Sequence, residues 1–209
     1  MIKSISYSQI EILSWIKQLY NNNEQFECDC CYSKGNFYKN DTVKPKYCFD
    51  IIPQLDYVKQ CDCRNLPLHN HSITSIVYDP PFLSASGKSL TENNNNNKIN
   101  KRFGVFPTEK ELFQFYEDSI KEFSRVLQVG GLLVIKCQDK VSSGKQIISH
   151  KIILDYCEKY HFICEDIFIL LAKNRLVAQW QLKNQKHARK FHSYFLVLKR
   201  GNYNERIWC

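Results

Sequence analysis

Hydrophobic positions along the chain fall into segments whose spacing alternates between a helical and a strand period. From Gln9 to Tyr20 the apolar residues Ile10, Leu13, Trp15, Ile16, Leu19 and Tyr20 predict an amphipathic helix, which Asn21-Asn22-Asn23 ends. Three short strand candidates follow, at Gln25 to Asp29, Lys46 to Asp50 and Tyr57 to Asp62, each closing on an acid. Ser72 to Tyr78 is a β-branched run that predicts a further strand. It stops at Asp79-Pro80-Pro81, because proline has no N–H to give to a central ladder. Thr108 has the character of a helix N-cap, with Glu111 as its capping-box partner. The helix it opens is expected to run to about Leu127, with Leu112, Phe115, Tyr116, Ile120 and Phe123 on one face. Gly130-Gly131 then turns the chain into a buried strand, Leu132 to Cys137. A second helix is expected from Gln146 to Tyr160, and last strands at Phe162 to Leu171 and Tyr194 to Leu198. Strands alternating with helices predict an α/β domain with a mainly parallel sheet. The final two strands have no crossover helix between them and can pair antiparallel.

A chain of 209 residues holds one domain with a real core, so residues 1–209 are read as a single unit. Two stretches break the pattern. Residues 83–106 are polar, contain five consecutive asparagines, and are read as a mobile loop. Residues 173–192 form a basic hairpin loop between the last two strands. The formal charge of +8 suits a polyanionic partner. No segment approaches the roughly 20 apolar residues of a membrane span. The opening Met1-Ile2-Lys3-Ser4 has no signal-peptide character, so a cytoplasmic protein without membrane contact is expected. In that setting the 10 cysteines are read as small buried hydrophobes rather than a disulfide framework.

The strongest chemical signal is Asp79-Pro80-Pro81-Phe82 at the C-terminal end of a strand, where open α/β sheets bind ligands. The alternative reading is a plain turn. The aromatic after it and the strand before it favour a site. An exocyclic amino group on a base is a poor nucleophile, because its lone pair is delocalised into the ring. The Asp79 carboxylate and the Pro80 carbonyl can each accept one of its N–H bonds, orienting the nitrogen and stabilising the charge it gains during alkylation. Pro80 and Pro81 stiffen the loop, and Phe82 offers a flat face for an extruded base.

The motif resembles the signature of amino-methyltransferases, Asp/Asn/Ser-Pro-Pro-Tyr/Phe/Trp. Longer blocks carry the resemblance further: residues 31–39, 72–82, 130–139, 142–146 and 185–190, followed by Tyr194-Phe195. In that order they are similar to the small N4/N6-type DNA methylases of phages and prophages, over residues 25–200. The resemblance implies a class I, Rossmann-like methyltransferase fold: a seven-stranded sheet with an antiparallel last strand and helices on both faces. It implies S-adenosylmethionine as cofactor, with a cofactor loop at Asp29 to Gly35 that includes Tyr32 and Lys34. It implies that Asp50 holds the cofactor ribose hydroxyls and Asp62 its adenine amino group. One departure is plain. The usual cofactor loop has two or three glycines, and here Gly35 stands alone.

Lys183, Lys186, His187, Arg189 and Lys190 lie in a stretch without acids, with Trp180 and Phe191 interleaved. Such a stretch can track a phosphate backbone; a solvated hairpin is the other reading. The chain is short for a separate target-recognition domain, so specificity is expected from the two loops or from a partner subunit. Cys28 and Cys31, with Cys61 and Cys63, raise a structural zinc as an alternative. The one-residue gap of the second pair and the adjacent acids argue against it, and no metal is expected. Asp at the first motif position leans toward adenine N6 in DNA. An RNA base, a protein amino group, or a degenerate fold kept as a binding subunit remain the alternatives.

Overall fold

The computed structural model describes residues 1–39, 43–82, 84, 106–142, 144–174 and 185–202. The expected loop at 83–106 therefore lies outside the described residues except for Ser84 and Phe106, as do Lys183 and Trp180 of the basic stretch. In chain order the elements are β1 (Ile5–Ser6), α1 (Gln9–Tyr20), β2 (Cys28–Asp29), a 3-10 turn (Asn36–Tyr38), β3 (Tyr47–Asp50), β4 (Lys59–Gln60) and β5 (Ile73–Tyr78). They continue with α2 (Glu109–Val126), β6 (Leu127–Cys137), β7 (Lys140–Ser142), β8 (Lys145–Ile147), α3 (Ser149–Lys159), β9 (Phe162–Leu171) and β10 (His192–Arg200).

The main sheet has the order β1-β9-β10-β6-β5-β2-β3-β4. All neighbouring pairs run parallel except the two made by β10, which is antiparallel to both β9 and β6. Eight strands form this sheet rather than the expected seven. The addition is β1, two residues that pair parallel with Ile169 and Leu170 on the outer edge of β9. A segment that short carries too little pattern to be legible. A two-stranded ribbon, β7 with β8, was also not expected. It occupies residues assigned in part to the second helix, which begins at Ser149 instead of Gln146. The helix starts only after the ribbon has satisfied the backbone of Lys145 to Ile147.

Alternation along the central strands divides the core into two layers. Leu133, Ile135, Leu196 and Leu198 pack with Leu112, Ile120 and Phe123 of α2 and Ile153 and Cys157 of α3. Leu132, Val134, Phe195 and Val197 face the other way, onto Ile12, Leu13 and Ile16 of α1. Helices thus cover both faces, and full burial of a side chain such as Phe123 contributes roughly 2–3 kcal/mol.

Local signals explain where the elements begin. Ser8 caps α1 by accepting the Glu11 N–H at 3.3 Å. Thr108 and Glu111 form a reciprocal capping box at the start of α2. At its other end α2 passes directly into β6, without the turn expected at Gly130-Gly131. These glycines instead form an irregularity inside the strand, where the register against β5 slips between Ile73 and Ser75. Gly130 has φ +78, and a Cβ on Gly131 would lie 2.8 Å from the Gln128 carbonyl and 3.2 Å from that of Thr74. Arg125 fixes the approach to β5: it bonds the Leu66 and Leu68 carbonyls at 3.1 and 2.8 Å and pairs with Glu122.

Among the described residues no helix is long and apolar enough to cross a membrane. Thr108→Ala removes one side of the capping box and is expected to lower stability by about 1 kcal/mol, measurable by urea denaturation, with no change in the unfolding slope.

Candidate active site

Parallel strands deliver their C-terminal ends to one edge, and there β2, β3 and β5 place Asp29, Asp50 and Asp79, with Asp62 two residues beyond β4. All four acids line one cleft, together with Tyr32, Ser33, Phe37, Pro81, Phe106 and Phe115. The walls are thus partly aromatic and the floor is rich in carboxylates.

Each carboxylate is held differently. Asp29 is 2% exposed; its oxygens accept the Cys31 N–H at 3.0 Å and the Tyr38 hydroxyl at 2.9 Å. Burial nonetheless pushes its acidity up to about 7, against those two hydrogen bonds and with a further push from Asp79 and Asp50. Asp50 accepts the Ser33 N–H and the Ile52 N–H, both at 2.8 Å, which folds the loops after β2 and β3 against each other. Asp62 forms a fork with Arg64, whose Nη2 lies 2.6 Å from Oδ2. That hydrogen-bonded guanidinium holds the Asp62 carboxyl below its ordinary range.

Asp79 keeps 32% of its side-chain surface accessible and lines the cleft. Desolvation raises its pKa, and Lys136 of β6, 3.3 Å from Oδ2, opposes that rise. The loop that carries it is pinned from two sides. The buried Tyr116 hydroxyl of α2 donates to the Pro81 carbonyl at 2.7 Å. The Lys140 ammonium of β7 donates to the Phe82 carbonyl at 3.0 Å and pairs with Glu109 at 2.7 Å. Glu109 in turn accepts a short hydrogen bond from Ser84. Ser84 also forms an isolated parallel bridge with Phe106, so the two ends of the intervening loop meet beside the cleft.

Of the residues singled out from sequence, Asp29, Tyr32, Asp50, Asp62, Asp79 and Pro81 come together in the cleft. Lys34 and Gly35 are not among its lining residues. Lys34 is exposed, and Gly35 sits behind Tyr32, at φ +66, where a Cβ would lie 2.8 Å from the Tyr32 hydroxyl. The single glycine is therefore required by the turn over Tyr32. Pro80 is buried and Phe82 half-buried in the pinned loop beside the cleft. In the basic stretch, Lys186 is exposed, His187 Nε2 lies 2.9 Å from the Gly144 carbonyl, and Arg189 donates to Gln185 at 3.3 Å. Lys190 is half-buried. The ribbon β7–β8 thus contacts both the basic stretch and, through Lys140, the proline loop.

Sequence reasoning missed Ser33, Phe37, Phe106 and Phe115 as cleft residues, and it assigned no role to Lys136, Lys140 or Tyr116. Thr108-x-x-Glu111 was the one signal that could have placed Phe106 and Phe115, since it sets the start of α2 and so the helix face beside the loop. The cysteines do not form a metal centre. Cys28 is in the core, whereas Cys30, Cys31, Cys61 and Cys63 line the cleft wall. Among the described residues no group of three or more His, Cys, Asp or Glu side chains is arranged to hold a metal ion.

No protein-family model matches the chain, and no curated protein matches it. Solved structures do. TrmN from Thermus thermophilus superposes with a TM-score of 0.52 at 13% identity, covering 91% of this chain and 48% of its own. The cyclase SpnF gives 0.53 at 11% identity, covering 92% and 80%. TTHA0409 of Thermus thermophilus, a candidate DNA modification methylase crystallised with S-adenosyl-L-methionine, gives 0.45 at 17% identity. That match covers 70% of this chain and 56% of TTHA0409, so the chain spans about half the length of that protein. These similarities show the fold: a class I methyltransferase fold, mixed α/β around a mainly parallel sheet. The match to a cyclase shows that the fold by itself does not dictate the reaction.

Asp29 makes stability depend on pH with a definite sign. Its carboxyl titrates near 3.8 when unfolded and about 7 when folded, so the folded chain binds the extra proton. Its contribution is full below about pH 4 and is lost as pH rises through 7, on the order of a few kcal/mol in all. Asp29→Asn is expected to flatten the fall in thermal stability between pH 4 and 7. A melting profile that keeps its slope in the variant would assign the dependence elsewhere.

Proposed function

We propose that the chain transfers a methyl group from S-adenosylmethionine to an exocyclic amino nitrogen of a nucleic-acid base, with adenine N6 in DNA as the target. The observation that carries this reading is the position of Asp79. The acid of an acid-Pro-Pro-aromatic motif stands at the end of β5, in a pinned loop, facing the same cleft as three other strand-end acids.

The donor set fits the cofactor. A cationic nucleoside ligand suits a cleft lined by several carboxylates with aromatic walls. Asp50, beyond the two backbone N–H groups it already accepts, has lone pairs left for neighbouring hydroxyls. Asp62 keeps 32% of its side-chain surface accessible beside Arg64 and can accept from an adenine amino group. When bound, S-adenosylmethionine supplies an electrophilic methyl group on a sulfonium and departs as a neutral thioether.

The chain's own residues then act on the nucleophile. Asp79 accepts one N–H of the target amino group and the Pro80 carbonyl accepts the other, which turns the nitrogen lone pair toward the methyl carbon. As the N–C bond forms and the C–S bond breaks, positive charge appears on nitrogen. Asp79 stabilises that charge and takes the proton the nitrogen loses. Tyr116 and Lys140 keep the loop from turning away, because each holds a carbonyl of the residues that follow Pro80. Phe82 offers its ring to the extruded base. Lys186, His187, Arg189 and Lys190, with Lys183 in the same stretch, follow the phosphate backbone. They are linked to the catalytic loop through the ribbon β7–β8.

The test is transfer of radiolabelled methyl to unmethylated genomic DNA, total RNA and protein in parallel, followed by nucleoside mass spectrometry. N6-methyladenine in DNA is the expected product; label in RNA or protein alone would replace the substrate and keep the chemistry. Asp79→Ala is expected to cut turnover by roughly a hundredfold or more while cofactor affinity, read by calorimetry, stays close to wild type. Reversing charge at Lys186, Arg189 and Lys190 together is expected to flatten the plot of log affinity against log salt, by about one for each phosphate that is no longer neutralised. An unchanged slope would remove the basic stretch from the interface.

A further inference from the structure

Lys136 is on β6, next in the sheet to the strand that carries Asp79, and its side chain is only 14% exposed. Long ammonium side chains seldom sit so deep without a task. Its Nζ lies 3.3 Å from Asp79 Oδ2 and 3.3 Å from Gln9 Oε1. The same atom lies 5.2 Å from the centre of the Phe37 ring and 5.8 Å from that of Phe195. Two aromatic faces, one amide oxygen and one carboxylate therefore fix a single cation at the catalytic acid. Gln9 also reaches the Asn36 carbonyl at 3.4 Å, in the loop after β2. The first residue of α1 thereby ties that loop to Lys136.

We propose that Lys136 is a positioning residue for the methyl-transfer reaction: its ammonium, seated on Gln9, Phe37 and Phe195, keeps Asp79 ionised and leaves one carboxylate oxygen to accept from the target amino group. The inference rests on the function proposed above. A neutral carboxylic acid at Asp79 would present a donor where the reaction needs an acceptor. Burial pushes the group toward that neutral form, and the ammonium is the force that opposes it. The titratable groups facing Asp79 are Lys136 from β6, Asp29 from β2 and Tyr116 from α2. Asp29 adds to the difficulty when ionised, and Tyr116 stays a neutral phenol because burial raises it far above its ordinary range. Lys136 is the one cation of the three.

Two measurements test this separately. The first needs no substrate: the Asp79 side-chain carboxyl carbon is followed by 13C NMR across pH in wild type, Lys136→Met and Lys136→Arg. The midpoint is expected to move to higher pH in the methionine variant and to return toward wild type in the arginine variant. An unmoved midpoint in Lys136→Met overturns the proposal. Lys136→Gln serves the same comparison should the methionine variant lose its native circular dichroism. The second is the pH profile of methyl transfer. Lys136→Met is expected to lose about tenfold more activity than wild type on the acidic side, with recovery toward high pH and in Lys136→Arg. A loss equal at every pH would mean a merely structural role and overturns it. A wild-type protein that methylates no substrate but shows the NMR shift would sink the proposed function and leave the Lys136–Asp79 coupling standing.

Discussion

Parallel pairing of β2 through β6 is the constraint from which the site follows. Strands that run the same way all end at the same edge, and the connections between them must return along the faces of the sheet. The residues immediately after each strand are thereby gathered in one place although they are far apart in sequence. Asp29, Asp50, Asp62 and Asp79 are well separated along the chain and line one cleft. The reversal of β10 between β6 and β9 closes the sheet beside that edge and brings the basic stretch before His192 back toward it.

Gathering acids in a partly buried cleft is electrostatically costly, and the structure resolves the cost differently at each one. Asp29 is left to burial and carries a proton until near neutrality. Asp50 is neutralised by two backbone dipoles, Asp62 by a guanidinium fork and Asp79 by an ammonium. The four therefore do not ionise as a block. A protein built this way can hold a catalytic carboxylate in its charged form beside a neighbour that remains neutral, and still present a net negative floor to a cationic ligand.

Rigidity at the proline loop needs few contacts. Tyr116 and Lys140 each bond a carbonyl that proline chemistry has already restricted, so two hydrogen bonds suffice to hold it. Glu109, at the start of α2, pairs with Lys140 and accepts from Ser84. The capping box that starts the helix therefore also sets where the loop is anchored. Fold stability and site geometry share these residues, and changes at either will be felt at the other.

Much of this was legible in the sequence because the signals are local. A β-branched run ending at two prolines, a Thr-x-x-Glu cap and an amphipathic period each depend on residues within a few positions. The strand order could be read only through resemblance, and the acids could be placed only as strand ends. What the sequence left open depends on distant partners. β1 is two residues whose sole pairing lies near the other end of the chain, at Ile169 and Leu170. Lys136 is an ordinary lysine in an apolar strand until β5 lies beside it, and Lys140, Glu109 and Tyr116 acquire their roles only when α2 and the ribbon converge on one loop. By itself the sequence determined the class of fold, the extents of the long helices and strands, and the motif with its intrinsic chemistry, since propensity, period and side-chain type are properties of neighbouring residues. Only the tertiary structure decided which charges face one another and which side chains line the cleft, because Coulombic and hydrogen-bond partners are chosen by proximity in space.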